Sequence, residues 1–305
     1  MYLSIEVKVS SLRLKSPVMN ASGVLEWSPI AAKKLVDAGA GAVVLKSTTR
    51  EARVGYPQPR IVSVPGGFIV AVGIANPGAD TVSTMIKSFK EAVGDTPVIA
   101  SVAGSSLEEF IEVSSKLEDG GADAIELNLS CPHFKGGGLE LGQDPVFVRE
   151  VTRNVSSIVK IPVIAKLGLT DKVVESALKA LEGGAKALTL INTIRAMKID
   201  IYTKKPVLGH KFGGLAGEAI HPVAVRVIYE TYKETRAEII GAGGVKDWET
   251  AIELILAGAK TVQVGSAILY RGEQVITEII RGIEKYLWIE GFKNINEIIG
   301  LAQRD

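Results

Sequence analysis

Eight short apolar runs recur along the chain, and they constrain its fold more than any other feature. The runs are rich in Val, Ile, Leu and Ala, and each is bounded by Gly or polar residues. They cover residues 17–22, 42–47, 97–104, 124–130, 162–168, 187–192, 238–244 and 261–267. Near-continuous apolar runs of this length are typical of parallel strands that are covered on both faces. The sequence therefore predicts eight buried parallel strands.

Amphipathic segments with helical spacing lie between these runs. Several of them open with Ser, Asp or Pro and close on Gly, as capped helices do. Eight strand–helix units favour an α/β fold, a single-domain (βα)8 TIM barrel that spans residues 1–305. A doubly wound open sheet is the alternative, but no GxGxxG motif follows the first strand. Residues 48–80 after the second strand and 193–220 after the sixth form the longest connections, and long loops are usually functional.

Composition excludes several classes of protein. Lys and Arg number 35 against 34 acidic residues, so the net charge gives no reason to expect nucleic acid or an anionic membrane as a partner. A single cysteine rules out a chain-borne iron–sulfur cluster, and the three scattered histidines lack metal-ligand spacing, so we expect no bound metal. The N-terminus has no signal-peptide pattern, and no apolar run approaches the ~20 residues of a membrane span. We therefore expect a cytoplasmic protein.

Polar residues and glycines cluster where the predicted strands end. This rim of a barrel is where barrel enzymes keep their chemistry. In strand order the rim carries Ala21, Ser22 and Gly23, then Lys46, Ser47 and Thr48, Asn128 with Cys131 just beyond, Lys166, Asn192 and Thr193, Gly243 and Gly244, and Gly265 and Ser266. A structural protein has no reason to collect amides, lysines and a thiol on one rim. The pattern therefore indicates a binding or catalytic site.

Each kind of rim residue suggests a chemistry and also has a plainer interpretation. The glycine turns after the last two strands, with Gly214, favour a phosphate site built from backbone N–H groups, although Gly also closes ordinary turns. Lys46 and Lys166 could stabilise negative charge, form a Schiff base, or only reach past the rim. The two asparagines suit a flat heterocycle or cap loops. Cys131, on a Gly-rich loop, suits a general base better than a buried packing residue.

Several motifs resemble those of class 1 dihydroorotate dehydrogenases, most closely the catalytic subunit of subclass 1B. The resemblance covers nearly the whole chain. It is carried by ASG at 21–23, KST at 46–48, GIANPG at 73–78, NLSCPH at 128–133, INT at 191–193, the stretch at 197–217, GAGGV at 241–245 and VGSA at 264–267. This family oxidises dihydroorotate to orotate on an FMN-bearing (βα)8 barrel, so the resemblance implies that fold, that cofactor and that reaction in pyrimidine biosynthesis.

The resemblance also implies roles for individual residues. Cys131 would remove the proton from substrate C5 while the hydride passes from C6 to FMN N5, and Lys46 would lie between flavin and substrate. Lys166 would stabilise the reduced flavin. The implied substrate contacts are Lys46, Gly73, Ile74, Asn76, Asn128, Asn192 and Thr193. The implied cofactor contacts are Ala21, Ser22, Lys46, Ser47, Asn128, Lys166, Ile191, Gly214, Gly243, Gly244, Gly265 and Ser266.

Three positions depart from the family pattern and leave the substrate open. Val70 and His133 stand where the family usually has Asn at substrate contacts, and Ala196 replaces a usual Gly. SCPH and GQDP (142–145) also occur in dihydropyrimidine dehydrogenases, which makes uracil or thymine chemistry the alternative. An aldolase or isomerase barrel without flavin, using a Schiff-base lysine, is a second alternative, and a non-catalytic binding barrel is a third.

The resemblance predicts a partner as well. The 1B subunits work with an iron–sulfur flavoprotein, so FAD and an iron–sulfur cluster are expected only on a partner subunit. This chain would then form the homodimer core of a hetero-oligomer.

Overall fold

The computed structural model describes residues 3–25, 27–130 and 144–304. The helices are α1 (Pro29–Asp37), α2 (Ala79–Val93), α3 (Leu107–Asp119), α4 (Pro145–Ile158), α5 (Val173–Glu182), α6 (His221–Thr235), α7 (Trp248–Ala257), α8 (Ser266–Arg271) and α9 (Gln274–Ile289). The strands are β1 (Val7–Val9), β2 (Leu12–Leu14), β3 (Val18–Asn20), β4 (Val43–Val44), β5 (Ile61–Val64), β6 (Gly67–Val70), β7 (Val98–Val102), β8 (Ala124–Asn128), β9 (Val163–Leu167), β10 (Ala187–Leu190), β11 (Ile194–Met197), β12 (Ile199–Asp200), β13 (Lys205–Pro206), β14 (Phe212–Ala216), β15 (Ile239–Ala242) and β16 (Ala259–Val264).

Eight of these strands form one parallel sheet that is curled into a barrel. Their order around the sheet is β3, β16, β15, β10, β9, β8, β7 and β4. Each of the eight runs predicted from the sequence overlaps one of them, so the predicted (βα)8 barrel is confirmed. The last strand begins at Ala259, two residues before the predicted run.

Helices pack around the outside of the barrel because each has one apolar face. In α9, Ile276, Ile279, Ile283 and Leu287 recur at helical spacing and are fully buried. The helix packs against β3, whose three residues are all buried. Burying a side chain of this size contributes about 1.5 to 3 kcal/mol relative to leaving it in water, so the helical layer fixes the barrel.

The barrel closes at a seam between β3 and β4, the two edge strands of the sheet. One backbone bond crosses there, from Gly41 N–H to Val18 O at 2.8 Å. The buried side chain of Asn20 makes two further hydrogen bonds across the seam. Its Nδ2 donates to Val44 O at 2.7 Å, and its Oδ1 accepts from Val44 N–H at 3.0 Å. The side-chain amide thus satisfies both backbone groups of Val44, as a neighbouring strand would.

The two long connections fold together above the carboxyl ends of the strands. Each contributes two strands to a four-stranded antiparallel sheet with the order β11, β14, β6 and β5. In its centre Val70 lies opposite Gly214, which brings the connection after β4 against the connection after β10. The sequence predicted these segments as functional loops and did not predict their strands.

Within the three described ranges, no helix is long and apolar enough to cross a membrane.

The seam yields a stability prediction. Asn20→Ala should lower the free energy of unfolding by about 2 to 4 kcal/mol, because it leaves two buried backbone groups of Val44 without partners. Urea denaturation measures the change. Asn154→Ala is the matched control, since Asn154 makes one exposed bond to Glu150 O, and it should stay within about 0.5 kcal/mol of wild type. Equal stability of Asn20→Ala and wild type would contradict the role given to the seam.

Candidate active site at the carboxyl ends of the barrel strands

A cavity lies between the carboxyl ends of the barrel strands and the antiparallel sheet above them. The structure brings almost all of the predicted site residues onto its wall. These are Ala21, Ser22, Lys46, Ser47, Gly73, Ile74, Asn128, Lys166, Ile191, Asn192, Thr193, Gly214, Gly243, Gly244, Gly265 and Ser266. The roles assigned to them remain predictions. Cys131 and His133 lie outside the described residues.

Asn76 is the predicted substrate contact that the structure places elsewhere. Its buried side chain does not line the cavity. Its Oδ1 accepts from the N–H groups of Thr49 and Gly78, and its Nδ2 donates to Thr49 Oγ1 and to Ile74 O. Every hydrogen-bonding site that this amide can easily offer is therefore used within the loop. Asn76 fixes the backbone at Ile74, which has a φ of 54° and does line the cavity.

Apolar residues of the antiparallel sheet form the upper part of the wall. Phe68, Val70 and Val72 contribute to it, and Leu269 from α8 joins them. The sequence interpretation did not include these residues, apart from Val70 as a departure. An apolar cover over a polar strand rim suits a flat ring that has one hydrogen-bonding edge.

The asparagines of the rim are joined in one hydrogen-bonded chain. Asn128 Nδ2 donates to Ser47 Oγ at 3.0 Å, and Asn128 Oδ1 accepts from Ser130 Oγ at 3.1 Å and from Asn192 Nδ2 at 3.2 Å. Asn192 Nδ2 also donates to Ser130 Oγ at 2.7 Å. These contacts fix both amide planes. They also anchor Ser130, the residue before Cys131, against the cavity wall.

The two rim lysines have opposite environments. Lys46 is half-buried, and among the residues that the structure describes its ammonium has no hydrogen-bond or ion-pair partner. Lys166 is almost fully buried and has three acceptors, namely Ser22 Oγ at 3.0 Å, Gln263 Oε1 at 2.9 Å and Glu126 Oε1 at 3.3 Å. Buried charges are normally paired. The charge of Lys46 is therefore uncompensated among the described residues, whereas that of Lys166 is already compensated.

Glu126 and Gln263 are functional candidates that the sequence interpretation missed. Gln263 lines the cavity, and Glu126 lies beneath it, fully buried inside the barrel. A charged residue two positions before Asn128, on the same face of the strand, was the available signal, because side chains of a strand alternate between faces.

The last two strands end in turns that leave backbone donors unused. Among the described parts of the chain, no acceptor bonds the N–H groups of Gly244, Gly265 and Ser266. Gly243 and Gly244 have φ values of 124° and 72°, a region that favours glycine. His221 Nδ1 donates to Gly243 O at 2.9 Å and so ties the first of these turns to α6. Free backbone N–H groups that line a cavity are a common anion site in barrels.

The described residues contain no group of three or more His, Cys, Asp or Glu side chains that could hold a metal ion.

Comparison with known proteins places this cavity in a family. A sequence model described as dihydroorotate dehydrogenase matches residues 4–287. The chain belongs to the dihydroorotate dehydrogenase family. The resemblance predicted from the motifs is thereby confirmed, and the family's activity makes this barrel a flavin-dependent oxidoreductase.

Full-length relatives carry two kinds of name within this family. A protein of Aeropyrum pernix, provisionally named dihydroorotate dehydrogenase A (fumarate), is 53% identical over 300 residues, which are 98% of each chain. The catalytic subunit of dihydroorotate dehydrogenase B (NAD(+)) of Pyrococcus furiosus is 44% identical over 303 residues, 99% of this chain and all of the relative. The corresponding subunit of Thermoplasma volcanium is 44% identical over 298 residues, 98% of each chain.

The cavity fits a flavin nucleotide on its own chemistry. The unused N–H groups of Gly244, Gly265 and Ser266 suit a phosphate, and the apolar cover suits a flat ring. The buried ammonium of Lys166 suits a ring edge that gains negative charge on reduction.

A glycine substitution tests this fit. In Gly244→Ala the new Cβ would meet His221 Cβ at 2.6 Å and Gly217 O at 2.9 Å, so the turn must move and its N–H must leave the cavity wall. The purified variant should hold less than about a tenth of the wild-type flavin, measured by visible absorbance against protein. That tenfold loss corresponds to about 1.4 kcal/mol of binding free energy.

Gly94→Ala is the matched control for this substitution. Gly94 has a φ of 62° and no atom within 4 Å of a built Cβ, and it ends α2. It therefore also requires a positive φ of the new alanine, without the clash. Flavin content that is equal in the two variants would mean that the Gly244 turn does not hold the cofactor.

Proposed function

We propose that this chain oxidises dihydroorotate to orotate with FMN bound in the cavity, as one catalytic domain over residues 1–305. The observation that carries the proposal is the pairing of an uncompensated, half-buried Lys46 with the fixed amides of Asn128 and Asn192 on the same cavity wall. A dihydroorotate molecule has a carboxylate and a cyclic imide, which are the groups that an ammonium and two amides recognise. Membership of the dihydroorotate dehydrogenase family supports the same reaction.

When bound, FMN would supply the hydride acceptor. Ala21, Ser22, Ser47 and Ile191 would border it, with Lys166 at one ring edge. The phosphate would bind at the glycine turns after β15 and β16 and at Gly214, opposite Val70 in the antiparallel sheet.

The residues around the substrate have separate tasks. Lys46 would bind the substrate's charge, and Asn128, Asn192 and Thr193 would orient its ring. The loop that Asn76 fixes would present the backbone of Gly73 and Ile74 to the carboxylate, because Val70 offers no polar group there. Cys131 would take the proton from substrate C5 as general base. Ser130, bonded to both asparagines, supports this proposal because it anchors the chain beside that position.

An anaerobic titration tests the proposed reaction. Dihydroorotate added to the purified protein should bleach the visible flavin band, and dihydrouracil should leave it unchanged. Bleaching by dihydrouracil alone would support the dihydropyrimidine alternative instead. A protein that takes up no flavin when FMN is supplied would overturn the proposal and favour the Schiff-base alternative.

Reoxidation of the reduced protein in the same experiment tests the proposed electron acceptor. We propose an iron–sulfur flavoprotein partner that carries FAD, with this chain as the homodimer core of a cytoplasmic complex, because several full-length relatives are named as catalytic subunits of an NAD(+) enzyme. The reduced chain alone should then be reoxidised neither by NAD nor by fumarate. Rapid reoxidation by fumarate alone would contradict the proposed partner subunit and would match the name of the Aeropyrum pernix relative.

A substitution tests the proposed base. Cys131→Ala should retain FMN but slow the bleaching by dihydroorotate at least ~100-fold, the usual contribution of a general base. Stopped-flow absorbance measures the rate, and unchanged flavin content shows that the cavity is intact. A reduction rate like that of wild type would remove Cys131 from the mechanism.

A further inference from the structure

Glu126 is a buried carboxylate to which the proposed reaction gives no task. It lies on β8, its side chain has no exposed surface, and it does not line the cavity. Its contacts reach three other barrel strands: Lys166 on β9, Thr189 on β10 and Gln263 on β16. It therefore sits under the cavity floor, at the centre of a cluster inside the barrel.

Both carboxylate oxygens have partners in this cluster. Oε1 lies 3.3 Å from the Lys166 ammonium, and Oε2 accepts from Thr189 Oγ1 at 3.0 Å and from Gln263 Nε2 at 2.7 Å. Burying an ion pair costs desolvation energy that its attraction often fails to recover, so apolar residues of similar volume would be at least as stable here. Stability alone does not account for a charge at this position.

Glu126 fixes the orientation of the two groups above it. A carboxylate only accepts hydrogen bonds, so Gln263 must turn its Nε2 towards Glu126. Gln263 Oε1 then points to the Lys166 ammonium and accepts a hydrogen bond from it at 2.9 Å. Lys166 and Gln263 both line the cavity, so their arrangement on the floor follows from the residue below them.

Glu126 also sets the charge of the floor. Among the described acidic residues it alone forms an ion pair with Lys166, and neither partner has appreciable contact with water. Solvent therefore screens this pair poorly. The pair presents almost no net charge to the cavity, whereas removal of Glu126 would leave Lys166 without its compensating charge.

We propose that Glu126 is a positioning residue that sets the reduction potential of the bound flavin through Lys166 and Gln263. The inference rests on the proposed function, because it requires a flavin in this cavity. Reduction adds negative charge to the ring, and the buried carboxylate opposes that charge. Glu126 thereby keeps the potential lower than Lys166 alone would make it.

Glu126→Gln tests the inference, since it removes the charge and keeps the shape. The equilibrium constant for reduction of the bound flavin should rise about tenfold, which is about 30 mV for a two-electron couple. Anaerobic equilibration with a reference dye measures the potential. Thr189→Val is the control, because it removes one hydrogen bond to Glu126 Oε2 without changing the charge. The reduction potential of this variant should shift by less than a third of the shift expected for Glu126→Gln.

Glu126→Asp separates charge from shape. It keeps the negative charge but withdraws it by one methylene group, so a role in packing predicts more disturbance from Asp than from Gln. The proposal predicts the reverse order, with the potential of Glu126→Asp closer to wild type. An unchanged or lowered potential in Glu126→Gln, or a larger shift in Glu126→Asp, would overturn it.

A second pair of variants measures the effect of the carboxylate in the absence of Lys166. Lys166→Met with Glu126→Gln leaves no unpaired charge in the barrel, and its potential should lie above that of Lys166→Met alone, because the carboxylate is the only difference. Equal potentials in this pair would overturn the inference. A wild-type protein that binds no flavin would reject the proposed function and the inference together, whereas flavin binding with equal potentials in all variants rejects the inference alone.

Discussion

The structure depends on eight strands that all run in one direction around a closed ring. A parallel ring brings every carboxyl end to the same rim, so residues that are distant in sequence become neighbours there. Asn128 and Asn192 meet in this way, although 64 positions separate them. The helices around the ring hold this arrangement by burying their apolar faces.

The cavity has two origins, and each supplies a different kind of surface. The barrel rim supplies amides, lysines and glycine turns, while the antiparallel sheet supplies the apolar cover from Phe68, Val70 and Val72. The two surfaces meet where Val70 lies opposite Gly214. A side chain at Gly214 would collide with Thr193 Oγ1, at a built distance of 1.9 Å. Glycine at this position therefore lets the cover approach the rim closely enough to enclose a flat ligand.

The barrel could be predicted from the sequence because its signal is local. Each strand is a continuous apolar run, and each helix has its own spacing and cap, so neither requires knowledge of distant residues. The antiparallel sheet could not be predicted, because four of the eight barrel strands lie between β6 and β14 along the chain, and Gly-rich stretches such as 212–216 have weak strand preference. The number of predicted barrel strands and the positions of their ends were enough to locate the rim residues, and knowledge of the antiparallel sheet was not needed.

The roles of inward-facing polar residues were harder to predict from the sequence than the positions of the rim residues. Glu126 and Asn20 are buried polar residues within barrel strands. Only the positions of their partners show that Glu126 compensates Lys166 and that Asn20 closes the seam. Asn76 is predicted to contact substrate, and its amide holds the loop backbone. A sequence shows which residue types reach a rim, but it does not show which hydrogen bonds they have already formed.

The seam at Asn20 has a consequence for how the barrel moves. Elsewhere in the ring, neighbouring strands are joined by backbone ladders, whereas β3 and β4 are held by one side chain and a single backbone bond. Local opening of the ring should therefore start at this joint, where fewest hydrogen bonds must break together. Ala21 and Ser22 follow one strand of the joint, and Lys46 follows the other. Local opening of the barrel would thus displace the cavity wall first, while the opposite half of the ring stays rigid.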